Sequence, residues 1–545
     1  MTVEPPRTDP EQQTNTQEDG SRSNVNDLGA LIGSHSTSFD QYIGRLPHAD
    51  ISYLASKGVF ELPPKLVQDE LLDAYFLYIH PFLPVLNEEK LRNDYTSGLQ
   101  ATGLLLYRAI MFAATSYLKQ SSVVMCGFSS VIEAQTTHFE RARLLFDFNV
   151  EAVKINRLQT LLMFSYWVPT IDIQYARGNN YWLSGALAIA KDLNLNKEEV
   201  IARAEPQSQK SMRRTWWACV VRDSILAFTY RRPPLINPHD YNVEKLVVED
   251  LTGDYHASAA WQGPSRDIVA RLFIHQTDLA TLAYKHLHAM YSPGQTASSM
   301  ISTPASLMEH LLNVDRWNTE LQLWKQTFLA EDLSCLELGE DIYRCLIMHR
   351  NFVLVMYNTI SMIVNQPRSQ IIGAALKLWS GSVQTLLQSS WERTSTAASE
   401  NIDAIEELVR LGLTKNLHIS LSSMLAYAAM IKYLNHLLQS SSATVGKDAS
   451  TRLCFHALEA MQTRFPVVGA LIQTVNAAAA SLDASENEQR GIIDSQSPGT
   501  EYMKKRLLAI GRATSYFEQA MMNDATVPAT ELSPSTLLQN SPPSV

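Results

Sequence analysis

The 545-residue sequence predicts an all-α protein: a many-helix body with disordered N- and C-terminal tails. Three observations predict it. Apolar residues recur three and four positions apart over long stretches, the period of one helix face. No stretch alternates apolar and polar residues between hairpin turns, as half-buried strands do. Hydrophobic residues make up 46% of the chain, enough for a large core, and charged residues only 18%, against roughly 25% in average soluble domains.

Residues 1–48 are rich in Pro, Gln, Thr, Ser, Asn and Asp, with no aromatic before Phe39. Such a segment cannot bury enough apolar area to offset its chain entropy and is expected to be disordered. Helices are expected over 65–80, 100–118, 130–147 and 156–168. The clearest spans 179–193, where Trp182, Gly185, Ala186, Ile189, Ala190 and Leu193 share a face. Gly185 costs about 1 kcal/mol of helix propensity relative to Ala, which points to close approach of a neighbouring helix. The next helix, 210–229, aligns Met212, Trp216, Cys219, Val220, Leu226 and Ala227. It stops before Arg231-Arg232-Pro233-Pro234, where prolines remove donors and clash with a continuing turn. Further helices are expected over 266–290, 305–328, 341–364, 369–391, 402–438, 450–478 and 501–521, with linkers near 292–306, 440–447 and 484–500. Residues 49–250 form the expected core of a domain, 251–522 its helical continuation, and 523–545 a disordered tail.

The chain carries 45 basic and 55 acidic side chains, a formal net charge of −10. That balance argues against broad contact with a nucleic-acid backbone, which needs clustered Lys and Arg. Cys126, Cys219, Cys335, Cys345 and Cys454 are odd in number, far apart and without a C-x-x-C pair. They predict buried free thiols in a reducing compartment rather than a disulfide or zinc framework. The start, Met1-Thr-Val-Glu-Pro-Pro-Arg, has no apolar signal-peptide region. The apolar stretches 104–118 and 419–438 are interrupted by Arg108 and by Lys432 and His436, so no membrane span is expected.

No phosphate-binding glycine loop, nucleophile elbow or H-E-x-x-H helix occurs, and no catalytic residue, metal or cofactor is expected. Asp403, Glu406 and Glu407 read as a solvated helix face. Cys345 and His349 share a face with Ile342, Leu346, Val353 and Met356 and read as core. His286 and His288 read as surface residues beside a loop, and Lys504-Lys505-Arg506 as a solvated helix start. Asp223 is the exception that demands an account. It falls on the apolar stripe of its helix, where an ionised carboxylate left alone is strongly destabilising. Asp223 is therefore expected to pin the following loop through Arg231 or Arg232.

A set of short motifs in fixed order adds to this. They are Tyr75-Phe76-x-x-x-His80-Pro81-Phe82-x-Pro84-Val85-Leu86, Gln159-Thr160-Leu161-Leu162 and Arg177-Gly178-Asn179-Asn180-x-Trp182. Arg213-Arg214-x-Trp216-Trp217 with Asp223 follows, and then Arg232-Pro233-Pro234-x-Ile236. Together they resemble the fungal-specific transcription factor domain, the helical middle region of fungal zinc-cluster regulators. The stretch from Asp50-Ile-Ser-Tyr-Leu to Leu62-Pro-Pro looks closest to the cutinase-regulator subgroup. The resemblance covers about residues 50–250 and continues as helices to about 520.

It implies a multi-helix regulatory domain in a nuclear regulator of a fungal metabolic or biosynthetic gene set. It also implies an N-terminal cluster of six cysteines and two zincs that reads DNA; here no cysteine precedes Cys126. Direct DNA binding by this chain alone is therefore not expected. The expected partners are proteins, a DNA-bound relative or a coactivator, in a homo- or heterodimer, with room for a small-molecule effector. The alternatives are a truncated zinc-cluster factor and a helical scaffold or sensor without DNA contact. Carried over as structural residues are Trp182, Arg213, Arg214, Trp216, Trp217, Asp223, Arg232 and Pro233.

Overall fold

The computed structural model describes residues 43, 45–99, 101–166, 177–253, 261–291, 303–331, 339–366, 369–439 and 449–490, and single helical positions between 504 and 519. All regular structure among them is helical. The expected C-terminal tail, the N-terminal segment apart from residues 43 and 45–48, the linker 440–447, Cys335, and most of the 501–521 helix lie outside the described residues; against the expected disorder to residue 48, Ile43 is buried in the main core and a helix starts at His48.

The first half contains α1 (His48–Ser56), α2 (Lys65–Ala74), α3 (Glu88–Ser97), α4 (Gly103–Thr115), α5 (Gln120–Met125), α6 (Val131–Asp147), α7 (Lys154–Phe164), α8 (Asn179–Asp192), α9 (Glu198–Ile201) and α10 (Pro206–Thr229). The second contains α11 (Val248–Thr252), α12 (Pro264–Tyr291), α13 (Pro304–Leu329), α14 (Glu340–Asn365), α15 (Ser369–Lys377), α16 (Gly381–Arg410), α17 (Leu421–Gln439), α18 (Ala449–Gln462) and α19 (Val467–Arg490). The short α1, α3, α5, α9 and α11 are additions to the sequence expectation; each is a few turns at most and shows too little periodicity to stand out.

Three expected long helices are cut or re-divided, each for a local reason. The break inside 369–391 falls before Ser380, whose hydroxyl accepts the Val383 N–H at 3.3 Å and starts α16. α16 then runs straight through the Ser/Thr-rich gap expected at 392–401. Its hydroxyls bond back within the helix, Thr394 to Ser390 O at 3.0 Å and Ser399 to Ser395 O at 3.1 Å, so they do not end it. α16 stops at Gly412, at φ 68°, where the Leu413 N–H reaches Leu408 O at 2.9 Å. Pro466 divides the expected 450–478 helix, because α18 cannot continue through it and α19 starts directly after it. Two linkers shrink as well. The 292–306 segment ends at Thr303, which caps α13, and the 484–500 segment is helical to Arg490, where Glu486, Glu488 and Gln489 are good helix formers.

Gly185 on α8 does what its cost suggested: an added Cβ would meet Leu161 Cδ1 of α7 at 3.2 Å. The expected stripe on α10 needs correction. Every residue from Arg214 to Phe228 is buried, because α7, α8, α9, α11 and α12 surround the helix. α14 is nearly as enclosed, by α12, α13, α16 and α17; from Cys345 to Asn365 all but Arg350 and Leu354 are buried. One hydrophobic cluster reaches from Ile43 to Phe517, and a smaller one gathers Met290, Leu307, Leu311, Ile371 and Val383. No helix among the described residues is long and apolar enough to cross a membrane.

Candidate functional site

A helix buried on all sides places its polar residues in the core, where each needs a partner or charges its neighbours. α10 carries five: Arg214, Thr215, Arg222, Asp223 and Ser224. They make two poles of opposite character.

The first pole is Asp223, fully buried. Its Oδ2 accepts the Ile236 N–H at 2.9 Å and the Tyr284 hydroxyl of α12 at 3.0 Å. Arg232 Nη2 lies 3.5 Å from Oδ1. Burial pushes the Asp223 carboxyl up, and Arg232, the loop N–H groups and Tyr284 pull it back. Of the two arginines expected to pair with it, Arg232 does so. Arg231 turns away at φ 51°, donating to Phe228 O and laying its guanidinium 4.4 Å from the Tyr427 ring centre. Arg232 also donates to Pro233 O at 2.9 Å and to Asn180 Oδ1 at 2.9 Å, so the loop, α8 and α10 meet on one guanidinium.

The start of α10 ties the rest of the same connection. Arg213 pairs with Glu198 and lies 3.4 Å from Glu244. Arg214 donates to Pro84 O at 3.1 Å and Asp250 O at 2.6 Å, and Trp217 Nε1 to Glu244 O at 2.8 Å. Trp216 is fully buried, its ring 5.5 Å from Tyr241. Trp182 is fully buried too, edge-on to Phe139, Phe146 and Phe164 at 5.1–6.1 Å. Arg108 repeats the device: it is buried, its guanidinium lowered to about 9 by burial, and it donates to Val59 O and Glu61 O. Seven of the eight residues singled out in sequence thus lie along α10 and its loop, and Trp182 lies on the adjoining α8.

The second pole was not expected. Arg222 donates to Ser165 and lies 3.7 Å over the Tyr166 ring. Arg464, before α19, donates to Thr414 O and Leu417 O at 3.3 and 3.2 Å and lies 5.6 Å from the Tyr117 ring centre. Both guanidiniums are buried, and no carboxylate pairs with either among the described residues. Between them runs a cleft of about 30 Å³, space for about two waters. Phe112, Tyr117, Gln135, Tyr166, His418 and Phe465 line it. Nothing in sequence marks it, since its walls come from α4, α6, α7, the segments that follow α2, α4 and α7, and those that precede α17 and α19.

His286 corrects another expectation: it is buried, edge-on to Trp317 at 4.7 Å, because α12 continues past it to Tyr291. Asp403 and Glu406 are exposed, while Glu407 accepts from Asn351 at 2.8 Å. Cys345 and His349 are buried, with His349 Nε2 3.0 Å from Leu77 O. Of the described cysteines, Cys219, Cys345 and Cys454 are buried and Cys126 half-buried, all as free thiols.

Over residues 72–326 the chain matches the family described as the fungal specific transcription factor domain. The match begins after the 50–71 stretch and runs past residue 250, where the firm part of the resemblance ended, to residue 326. Among similar proteins, cutinase transcription factor 1 beta of Fusarium vanettenii is 26% identical over 57% of this chain and 38% of its own length. Transcription factor cpaR of Aspergillus oryzae is 26% identical over 74% of this chain and 69% of its own. Fusaric acid cluster transcription factor FUB12 of Gibberella fujikuroi is 26% identical over 51% of this chain and 40% of its own. The chain thus spans well under half the length of two of these relatives.

Proposed function

We propose that the chain is a nuclear regulator of transcription for a fungal metabolic or biosynthetic gene set, working through contacts with protein partners. The family match over residues 72–326 is the observation that carries this reading. The names of the relatives, regulators of cutinase and of a fusaric acid cluster, support the kind of gene set. The net charge of −10 favours protein contacts over a grip on phosphate by this chain itself. Its structural core is the α10 connection, which fixes the surface that partners meet.

The test tethers the chain to an unrelated DNA-binding domain beside a reporter. Reporter output changes in one direction, and variants that loosen the α10 connection abolish the change. Unaltered output would overturn the reading. Tight, salt-sensitive, sequence-selective attachment of the purified chain to promoter fragments would replace it with direct DNA binding.

A further inference from the structure

Arg222 and Arg464 hold the turns at Ser165 and at 414–417, and the cleft beside them is lined by neither guanidinium. Its walls are aromatic, from Phe112, Tyr117, Tyr166 and Phe465, and its polar groups converge from different segments. His418 is 4% exposed, and its Nδ1 accepts the Ser420 N–H at 3.3 Å, which leaves the ring proton on Nε2. Burial raises both tyrosines, Tyr117 to about 12, so their hydroxyls are neutral donors. Gln135 is 4% exposed; its amide nitrogen reaches Ser116 Oγ at 2.5 Å.

The charges around the cleft are all of one sign. The groups acting on His418 are Arg222, His349 and Arg464, and burial together with them holds its imidazole well below the usual range. Arg464 Nε and Nη1 are buried without an acceptor. Two desolvated guanidiniums with no carboxylate leave a positive potential that a single negative charge would relieve. The two arginines stand behind the tyrosine rings rather than in the wall, so the group in contact meets hydroxyl and imidazole N–H donors. That set suits one delocalised charge better than a divalent phosphate, which calls for guanidinium or ammonium in direct contact. Ala113, Tyr117 and Ile419 are half-buried, so one side of the cleft opens outward and a ligand can extend beyond the enclosed space.

We propose that this cleft binds a small organic carboxylate with a flat apolar body, its carboxylate in the enclosed space among Tyr117, Tyr166 and His418 and its body lying outside that space, over Ala113 and Ile419 at the open side. Binding is a property of the purified full chain and stands apart from the regulator reading, since its test includes neither DNA nor a partner.

The test compares benzoate, benzyl alcohol and benzylamine, which share size and differ in charge, by calorimetric titration of the full chain. Benzoate binds at least about tenfold more tightly than the other two. Ala113→Phe, which fills the open wall, abolishes binding. Arg464→Met keeps benzyl alcohol affinity and removes the preference for benzoate. Equal affinities for the three probes, no binding of benzoate, or benzoate affinity untouched by Ala113→Phe would each overturn the proposal.

Discussion

Arg222 and Asp223 are consecutive on α10, equally deep in the protein, and in opposite electrostatic conditions. Asp223 has a cation, a backbone N–H and a hydroxyl around its two oxygens. Arg222 has the Ser165 hydroxyl and carbonyl and a tyrosine face, and the other buried cation nearby, Arg464, is equally without a carboxylate. Adjacent residues of one helix thus carry a charge that meets an opposite charge and a charge that meets only neutral groups beside a cleft. The comparison teaches that burial alone does not say what a charged residue is for. The charge of its partners does.

The largest effect expected is at the paired pole. Asp223→Ala leaves the half-buried Arg232 without its carboxylate and the Ile236 N–H and Tyr284 hydroxyl without their acceptor, and it frees the 232–236 loop; the loss is about 3 kcal/mol, read as a lower unfolding midpoint in urea. Asp223→Asn keeps an acceptor for the Ile236 N–H and costs less than half as much. A change within experimental noise for Asp223→Ala would erase the distinction between the poles.

Acid separates the poles next. Burial holds His138 near 3 and His349 near 4, against 6.5 when exposed. The unfolded chain therefore binds protons that the folded chain refuses, and stability falls as pH drops below about 6.5. By about pH 5 each contributes a loss of about 2 kcal/mol. His418 acts in the same direction, and its protonation would place a third cation between Arg222 and Arg464. Asp223 acts oppositely: its folded carboxyl is raised, so it binds a proton more readily folded than unfolded, and acid favours the folded state there. Urea unfolding at neutral and mildly acid pH checks this. His138→Leu and His349→Leu flatten the acid loss, whereas Asp223→Asn steepens it.

A smaller effect concerns the connection the first pole secures. Trp217→Phe keeps most of the ring and loses the bond from Nε1 to Glu244 O. It costs about 1 kcal/mol. Faster amide exchange confined to the 244–250 segment is the accompanying sign that the loop, and not the core, has loosened.

Much of the first pole was legible in the sequence, and the reason is physical. A charge on an apolar stripe has to be paired, and prolines with arginines directly after the helix offered the pair. The same reasoning missed Arg222, because a one-face stripe was expected and α10 has no solvent face for that residue. Helix content was legible throughout. Helix ends were not where a stop signal had to be weighed against composition: Gly412 and Pro466 ended helices that periodicity carried on, and the Ser/Thr run in α16 failed to end one. The cleft had no sequence signal at all. Its aromatic residues are typical core residues at helical spacing, and only the packing of segments more than three hundred residues apart sets Phe112 and Tyr117 against His418 and Phe465.

The smallest effect sharpens the comparison most, because it is expected to be near nothing. Arg464 is as buried as Arg232 is paired, so a reading by burial alone predicts that its loss is severe. Its bonds to Thr414 O and Leu417 O are long, 3.3 and 3.2 Å, and two of its donor nitrogens have no acceptor. Burial also holds its guanidinium below the ordinary value, so the charged form is strained in place. Methionine keeps a flexible stem against Tyr117 and Phe465 and removes the desolvated charge, and such replacements are often neutral or stabilising. Arg464→Met therefore changes stability by less than about 1 kcal/mol in the urea measurement that registers Asp223→Ala. A loss as large as that of Asp223→Ala would show that Arg464 is held by the fold as firmly as the paired charges. The two poles would then differ in sign but not in kind.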